Sequence, residues 1–185
     1  IDKATADKIP VISIGYGRTD ASDGRVFPYI FPLVTNYWSQ NTAKIKFIGQ
    51  KEGGMDKLKG KKIVNIYHDS AYGKETIPVL DAQARKYGFT VTHIPVPHPG
   101  NEQGAQWLQV RQIKPDWVIL RGWGVMNPVA LKTAAKIGFP RDKIVGVQNS
   151  DGSWSRHHCI TSRTFCTAAA ILVLTAPNRY LPISQ

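Results

Sequence analysis

Cysteine is nearly absent from this chain, and acidic residues are few. The two cysteines among 185 residues are Cys159 and Cys166, so the body ahead of them can hold no disulfide. They follow His157 and His158, but a six-residue gap without a second ligand pair lacks zinc-site spacing, and no metal is expected. Long apolar runs are missing too. The longest, Ala168 to Leu174, falls well short of the roughly 18 residues a membrane span needs, so the chain is not expected to cross a membrane. Ile1 stands where a signal peptide would begin, and no basic segment leads into an apolar one; the start reads as mid-chain sequence. There is no GxGxxG, no P-loop, no paired nucleophile and base, and no recognisable carboxylate pair, which makes an enzyme the weaker class and implies no cofactor.

Lys and Arg number 24 against 13 Asp and Glu, a formal charge of +11, which raises nucleic acid or an anionic surface as a partner. The distribution argues otherwise. Basic residues are spread singly, and the one dense run, Lys57 to Lys62 (KLKGKK), reads as a solvated linker ahead of a strand. No recognition-helix, zinc-finger or RNP-like pattern accompanies the charge, so no nucleic-acid partner is expected.

With 42% hydrophobic residues the chain can bury a core, and its patterning is that of an α/β protein. Ile9 to Ile14 (IPVISI) reads as a buried strand stopped by Gly15-Tyr16-Gly17. Val34, Tyr37, Trp38, Ile45 and Ile48 keep one helix face apolar until Gly49 and Gly53-Gly54 end it. Lys62 to Tyr67 is a strand, and a helix follows with Ile77, Leu80, Ala84 and Tyr87 on one face, Pro78 in its first turn and Gly88 at its end. Phe89 to Val96 alternates as a strand. Beyond the Pro97 to Asn101 loop comes a helix with Trp107, Leu108 and Ile113 inward, broken at Pro115-Asp116. Trp117 to Leu120 is a buried strand, Asn127 to Ile137 a helix, and Lys143 to Val147 another strand. Strands centred near Val64, Thr92, Val118 and Val145 recur about every 27 residues, the spacing of βαβ units, so a parallel sheet with right-handed crossovers and helices on both faces follows. From Asp151 to Gln185 the patterning disappears. That tail reads as disordered or as a foreign, frameshifted or vector-derived end, the alternative being a poorly patterned helix over 165–174.

In an open α/β sheet ligands bind at the carboxyl ends of the strands, so the loops there supply the candidates. Lys61 to Thr76 (KKIVNIYHDSAYGKET) is one strand, one loop and one helix start. Tyr72 on that loop is a packing anchor or a ligand wall. His68-Asp69-Ser70 carries triad residue types, but adjacent side chains diverge, and a polar loop with Asp69 or Ser70 as a helix cap is the reading. Ser13, Gly15, Tyr16 and Gly17 form a glycine-rich turn where backbone can approach an anion, or a purely structural turn. Gly122-Trp123-Gly124 offers an aromatic plate with free backbone beside it, and Arg121 would pair with a ligand carboxylate or with a neighbouring acid.

Four stretches in order, IPVISIGYGRTDASDGRVFPYIFP, KLKGKKIVNIYHDSAYGKE, KYGFTVTHIPVPHPGNEQGAQWLQVRQIKPDWVILRGWG and ALKTAAKIGFPRDKIVGV, resemble the type I periplasmic solute-binding proteins of ABC importers, especially the branched-chain amino acid binders. The resemblance covers about residues 7–147. It implies two Rossmann-like lobes that close on a small amino acid or related carboxylate or amide and deliver it to an ABC permease, in the periplasm or as an extracytoplasmic lipoprotein. It also implies that this chain holds only part of that fold: 1–58 as the end of a segment of the first lobe, 59–148 as the core of the second, and 149–185 as the atypical tail. Such a piece is expected to leave sheet edges uncovered and to be poorly stable alone. Ser13 to Gly17 matches the loop that takes the ligand carboxylate, with Gly17 where a threonine is usual or that threonine displaced to Thr19. Tyr72 and Trp123 match aromatics at the cleft. Where an acidic residue commonly receives the ligand ammonium, this chain has Gln148-Asn149-Ser150-Asp151. The same fold serves repressor and receptor ligand domains, and a Rossmann or flavodoxin-like enzyme is the rival of a different class; a bound flavin or nicotinamide would mark the latter.

Overall fold

The computed structural model describes residues 2–13, 17–32 and 35–145. Its centre is a four-stranded parallel sheet. β-branched and aliphatic runs too apolar to face water form the strands, and helices cover both sides. The chain enters through a short helix, α1 (Asp2–Ala6), and two three-residue strands, β1 (Val11–Ser13) and β2 (Ile30–Pro32), which pair in parallel with Val11 opposite Ile30. Helix α2 (Tyr37–Glu52) starts where the Asn36 side chain accepts the Ser39 N–H at 2.8 Å. It stops at Gly53, whose φ of 92° suits a residue without a Cβ. Then come β3 (Lys62–His68), a single-turn α3 (Ala71–Lys74), α4 (Ile77–Tyr87), β4 (Thr90–Val96), α5 (Gly104–Ile113), β5 (Trp117–Arg121), α6 (Met126–Lys136) and β6 (Ile144–Val145).

The strand order is β4-β3-β5-β6, all parallel, with Ile63 opposite both Val91 and Trp117. Alternation along the strands sorts the core into two layers. Val64, Ile66, Val118 and Leu120 face α5 and α6 through Trp107, Val110, Met126 and Ala130. Ile63, Trp117 and Ile119 face α2 and α4 through Ile45, Ile48, Leu80 and Ala84. The chain leaves β3 toward β4 on one side and β5 toward β6 on the other. The crevice between the carboxyl ends of β3 and β5 is therefore the switch point of the topology, where open α/β sheets bind ligands.

The parallel sheet, its covering helices and the positions of Pro78 and Gly88 follow the sequence pattern; Pro78 lies in the first turn of α4, and Gly88 closes it at φ 73°. Several details differ. Leu108 does not point inward: it is 52% exposed while Trp107 and Val110 are buried. Neighbouring positions on a helix lie about 100° apart, so 107 and 108 cannot share a narrow apolar stripe. The expected linker KLKGKK is partly core. Leu58 ends a 3-10 turn, Met55–Leu58, and is fully buried among Ile45, Ile63 and Phe89. β1 is not a buried strand, since Val11 is exposed and β2 is its one partner among the described residues. Helix α2 contributes Ile45 and Ile48 to the same apolar layer as β3 and β5, so packing joins it to the four-stranded sheet even though it precedes residue 58. The tail from 149, with Cys159 and Cys166, lies outside the described residues.

The amino-terminal edge of the sheet is pinned by one carboxylate. Glu52, the last residue of α2, accepts the indole N–H of Trp117 at 2.7 Å, lies 2.7 Å from Lys61 Nζ and 3.4 Å from Lys143 Nζ. These charged and neutral donors, Lys61 first and Trp117 next, lower its carboxyl from the ordinary 4.5 to about 2. A carboxyl depressed in the folded state stabilises the fold above its unfolded value and loses that contribution as pH falls through the folded one. Urea unfolding followed by tryptophan fluorescence should therefore show stability falling from about pH 4.5 toward pH 2. Glu52→Gln should lower the midpoint at neutral pH and flatten the acid slope; an unchanged slope would remove Glu52 from this role.

Candidate functional site

Two groups of side chains flank the switch point, one on each face of the sheet. On the α2 side, Arg121 ends β5 with only 3% of its surface exposed. Residue 121 is in register with Tyr67 and points, like Trp117 and Ile119, toward α2. Its Nε and Nη2 donate to the Tyr72 carbonyl at 3.3 and 3.2 Å. The guanidinium carbon lies 4.0 Å from the centre of the Tyr72 ring and 4.3 Å from that of Tyr37. The two rings meet edge to face at 5.3 Å. The cation is thus held by π faces and one main-chain carbonyl. Burial lowers its pKa and the tyrosines oppose that shift; a guanidinium keeps its charge regardless. Burial, then the Tyr72 hydroxyl, push the Tyr37 phenol up.

The expectation that Arg121 meets a ligand carboxylate or a neighbouring acid has to be set beside this geometry. Among the described residues its hydrogen bonds go to the Tyr72 carbonyl. Tyr72 is half-buried and lies not on a loop but in α3, because the Ser70 side chain caps a helical turn directly after β3; its hydroxyl reaches the Gly122 carbonyl at 3.5 Å, which joins α3 to the loop after β5 across the crevice.

The glycine-rich turn reaches the same group through α2. Ser13 ends β1 opposite Pro32; Gly15 and Tyr16 lie outside the described residues. Gly17 is buried, and its carbonyl accepts the Tyr37 N–H at 2.6 Å. A Cβ on Gly17 would run into the Thr35 carbonyl and come within 2.9 Å of Asn36 Cα. Thr19 works as a tie: its N–H donates to Glu75 Oε1 at 2.7 Å, and its hydroxyl accepts the Trp38 N–H at 3.2 Å. The Trp38 indole donates to the Glu75 carbonyl at 2.9 Å. Gly17, Tyr37, Tyr72 and Arg121 consequently form one continuous group.

Trp123 stands apart from it, 60% exposed on the other side of the crevice. Its ring meets that of His68 at 5.9 Å, and His68 meets His98 at 5.4 Å, both edge to face. His68 is the last residue of β3 and not a loop residue. It is 3% exposed and bonded on both nitrogens, Nδ1 to Ser70 Oγ at 2.9 Å and Nε2 to His98 Nδ1 at 3.2 Å. Ser70 also caps α3 by accepting the Gly73 N–H. Asp69 turns away to pair with Lys74 at 2.7 Å, so the three adjacent residues make no triad. His98 lies in the wall of an open depression of about 650 Å³ along Pro97 to Gln106.

Tyr37, His68 and His98 were not among the expected site residues. Tyr37 looked like one more apolar position on a helix face, and the spacing of 30 residues between the histidines carries no motif. The available signal was the strand register, which brings His68 level with Val96, two residues before His98. Among the described residues no group of three metal-ligating side chains occurs.

A family model described as periplasmic binding protein matches residues 1–165. A crystal structure of an ABC transporter permease from the Pseudomonas fluorescens group is 58% identical, with a TM-score of 0.75, over 77% of this chain and 34% of its own. A branched chain amino acid ABC transporter from Thermus thermophilus with bound valine is 21% identical over 74% of this chain and 34% of its own, TM-score 0.64. A solute binding protein of an ABC transporter from Rhodopseudomonas palustris BisB5, in complex with 3,4-dihydroxybenzoic acid, is 19% identical over 77% and 37%, TM-score 0.59. The last two share the fold. The chain spans about a third of the length of these structures. No curated protein sequence matches it.

Replacing Arg121 by Met should leave the Tyr72 carbonyl unpaired and remove both cation–π contacts, at a cost of about 2 kcal/mol. Chemical denaturation measures this, and a loss below about 0.5 kcal/mol would make the cluster energetically idle.

Proposed function

The chain belongs to the periplasmic binding protein family, and from that premise we propose that it is the ligand-capturing part of an ABC importer's solute-binding protein. Its cargo is a small amino acid or a related carboxylate or amide. The protein works in the periplasm, or outside the cytoplasmic membrane as a lipoprotein. The observation that carries this reading is the meeting of α3, directly after β3, with the loop after β5 at the topological switch point, through the Tyr72 hydroxyl and the Gly122 carbonyl.

Tyr72 and Trp123 wall the cleft on this reading, and the turn from Ser13 to Gly17 with Gly15 and Tyr16 supplies the opposite side. Arg121 acts as a positioning residue: it fixes the Tyr72 backbone and lies beneath the aromatic ring. The sharing of an apolar layer by α2, β3 and β5 supports a lobe boundary near Thr35-Asn36, earlier than the residue 58 that the resemblance suggests. Segment 1–34 then belongs with the first lobe, and Asn36 onward with the second. Capture makes and breaks no bond. The ligand favours the closed arrangement of the lobes by its higher affinity for it, and the closed form docks on a permease.

A thermal-shift panel of amino acids and small carboxylates, run on the protein with both lobes complete, tests the reading. A saturating ligand should raise the midpoint by about 5 °C; no shift with any member would leave the reading unsupported. Tyr72→Ala and Trp123→Ala should each weaken binding by about tenfold or more. Unchanged affinity would make the two rings packing residues only.

A further inference from the structure

The basic residues that are scattered along the sequence are gathered in space. All four strands of the sheet are parallel, so the helices that cover it run back and end at the strands' amino ends. Their last turns carry Lys51 in α2, Arg85 and Lys86 in α4, Arg111 in α5 and Lys136 in α6. The stretch Lys57 to Lys62 leads into β3 at the same end, and Arg141 and Lys143 lie in the turn that leads into β6. Hydrogen bonds knit these ends together. The Gly60 N–H donates to the Gly88 carbonyl and the Asp116 N–H to the Lys62 carbonyl, both at 2.8 Å. Glu52 joins the end of α2 to both through Lys61, and to the turn before β6 through Lys143.

A basic residue in a last helical turn has a local use, since it faces the negative end of the helix dipole. That preference does not account for Lys62, which opens a strand, or for Arg141, which opens the turn before another. Acids do not answer the charge either. Glu52 is committed to Lys61, Lys143 and the Trp117 indole, Asp116 to Lys61 and the Lys62 N–H, and Asp56 to Lys57. Among the described residues Lys59, Lys62, Arg85, Arg111, Lys136 and Arg141 are exposed and have no carboxylate partner. Most of the formal charge of +11 therefore falls on one end of the sheet.

We infer that this end of the sheet is a docking face for an anionic phospholipid bilayer. The array of charge has two dimensions. Lys51 and Arg85 belong to helices on one side of the sheet, Arg111 and Lys136 to helices on the other, and Lys62 stands between them at the start of β3. A plane of phosphate headgroups meets such an array, whereas a nucleic-acid strand tracks a line of charge along a groove. β3 is seven residues long, which puts its two ends about 20 Å apart. That is well beyond the Debye length of about 8 Å at physiological salt. Lipid at the amino end and solute at the carboxyl end therefore do not compete, and a bilayer on this face leaves the crevice turned to solution. The inference stands apart from the solute-capture reading and needs no ligand.

Sedimentation with lipid vesicles, on the protein with both lobes complete, tests this. Vesicles of phosphatidylglycerol and phosphatidylcholine in equal parts should carry the protein down at low salt, and about 0.5 M salt should release it. Pure phosphatidylcholine should not bind it. Lys62→Gln, Arg85→Gln and Lys136→Gln together should weaken binding about a hundredfold, each removing a factor of about five. Lys3→Gln, Arg25→Gln and Lys46→Gln remove the same charge from exposed positions off this end and should cost less than about threefold. Both triples should keep the wild-type thermal midpoint, since the groups removed are exposed. Absence of binding to the anionic vesicles, equal binding to neutral ones, or equal losses in the two triples would each overturn the inference. Tighter binding to a single-stranded oligonucleotide at the same phosphate concentration would overturn it as well. None of these outcomes bears on the solute panel, and a failed panel leaves the vesicle result standing.

Discussion

A buried guanidinium holds the carboxyl edge of this sheet together. Arg121 closes β5 with two tyrosine faces around it and its hydrogen bonds directed to one main-chain oxygen. Removing such a group from water is expensive unless its donors and its charge are both answered. Here the carbonyl answers the donors and the ring faces answer the charge. Tyr37 belongs to the helix that follows the glycine-rich turn, and Tyr72 belongs to α3, the single helical turn after β3. One cation therefore fixes the mutual placement of three segments distant in sequence, and the walls of the crevice take their positions from it.

The fold was legible because period-2 and period-3.6 patterns are strong wherever a parallel sheet is covered on both faces. The run IVNIY could hardly be anything but a central strand, and Gly88 marked a helix end by the backbone conformation it alone adopts cheaply. The errors came from weaker signals. Leu108 beside Trp107 satisfied a count of apolar residues without satisfying helical geometry. Leu58 was hidden among lysines, since charge density describes the surface of a segment and says nothing of the single side chain turned inward.

The candidate site was legible only in part, and for a different reason. Tyr72 and the Gly122-Trp123 pair could be chosen because topology singles out loops at strand ends. The partners could not, because what joins Arg121 to Tyr37, or His68 to His98, is strand register and helix placement over dozens of residues. His68 also shows how a residue changes category with its environment. Beside Asp and Ser it reads as polar loop; as the last pleat of a buried strand it points away from Asp69, which pairs with Lys74.

The hydrogen bonds from Arg121 end on the backbone of residue 72, not on its side chain. Any amino acid at that position presents the same oxygen, so the course of the chain there is secured without reference to what it displays. The ring at position 72 answers the charge of Arg121 instead, so losing the aromatic would remove a cation–π contact and leave both hydrogen bonds in place.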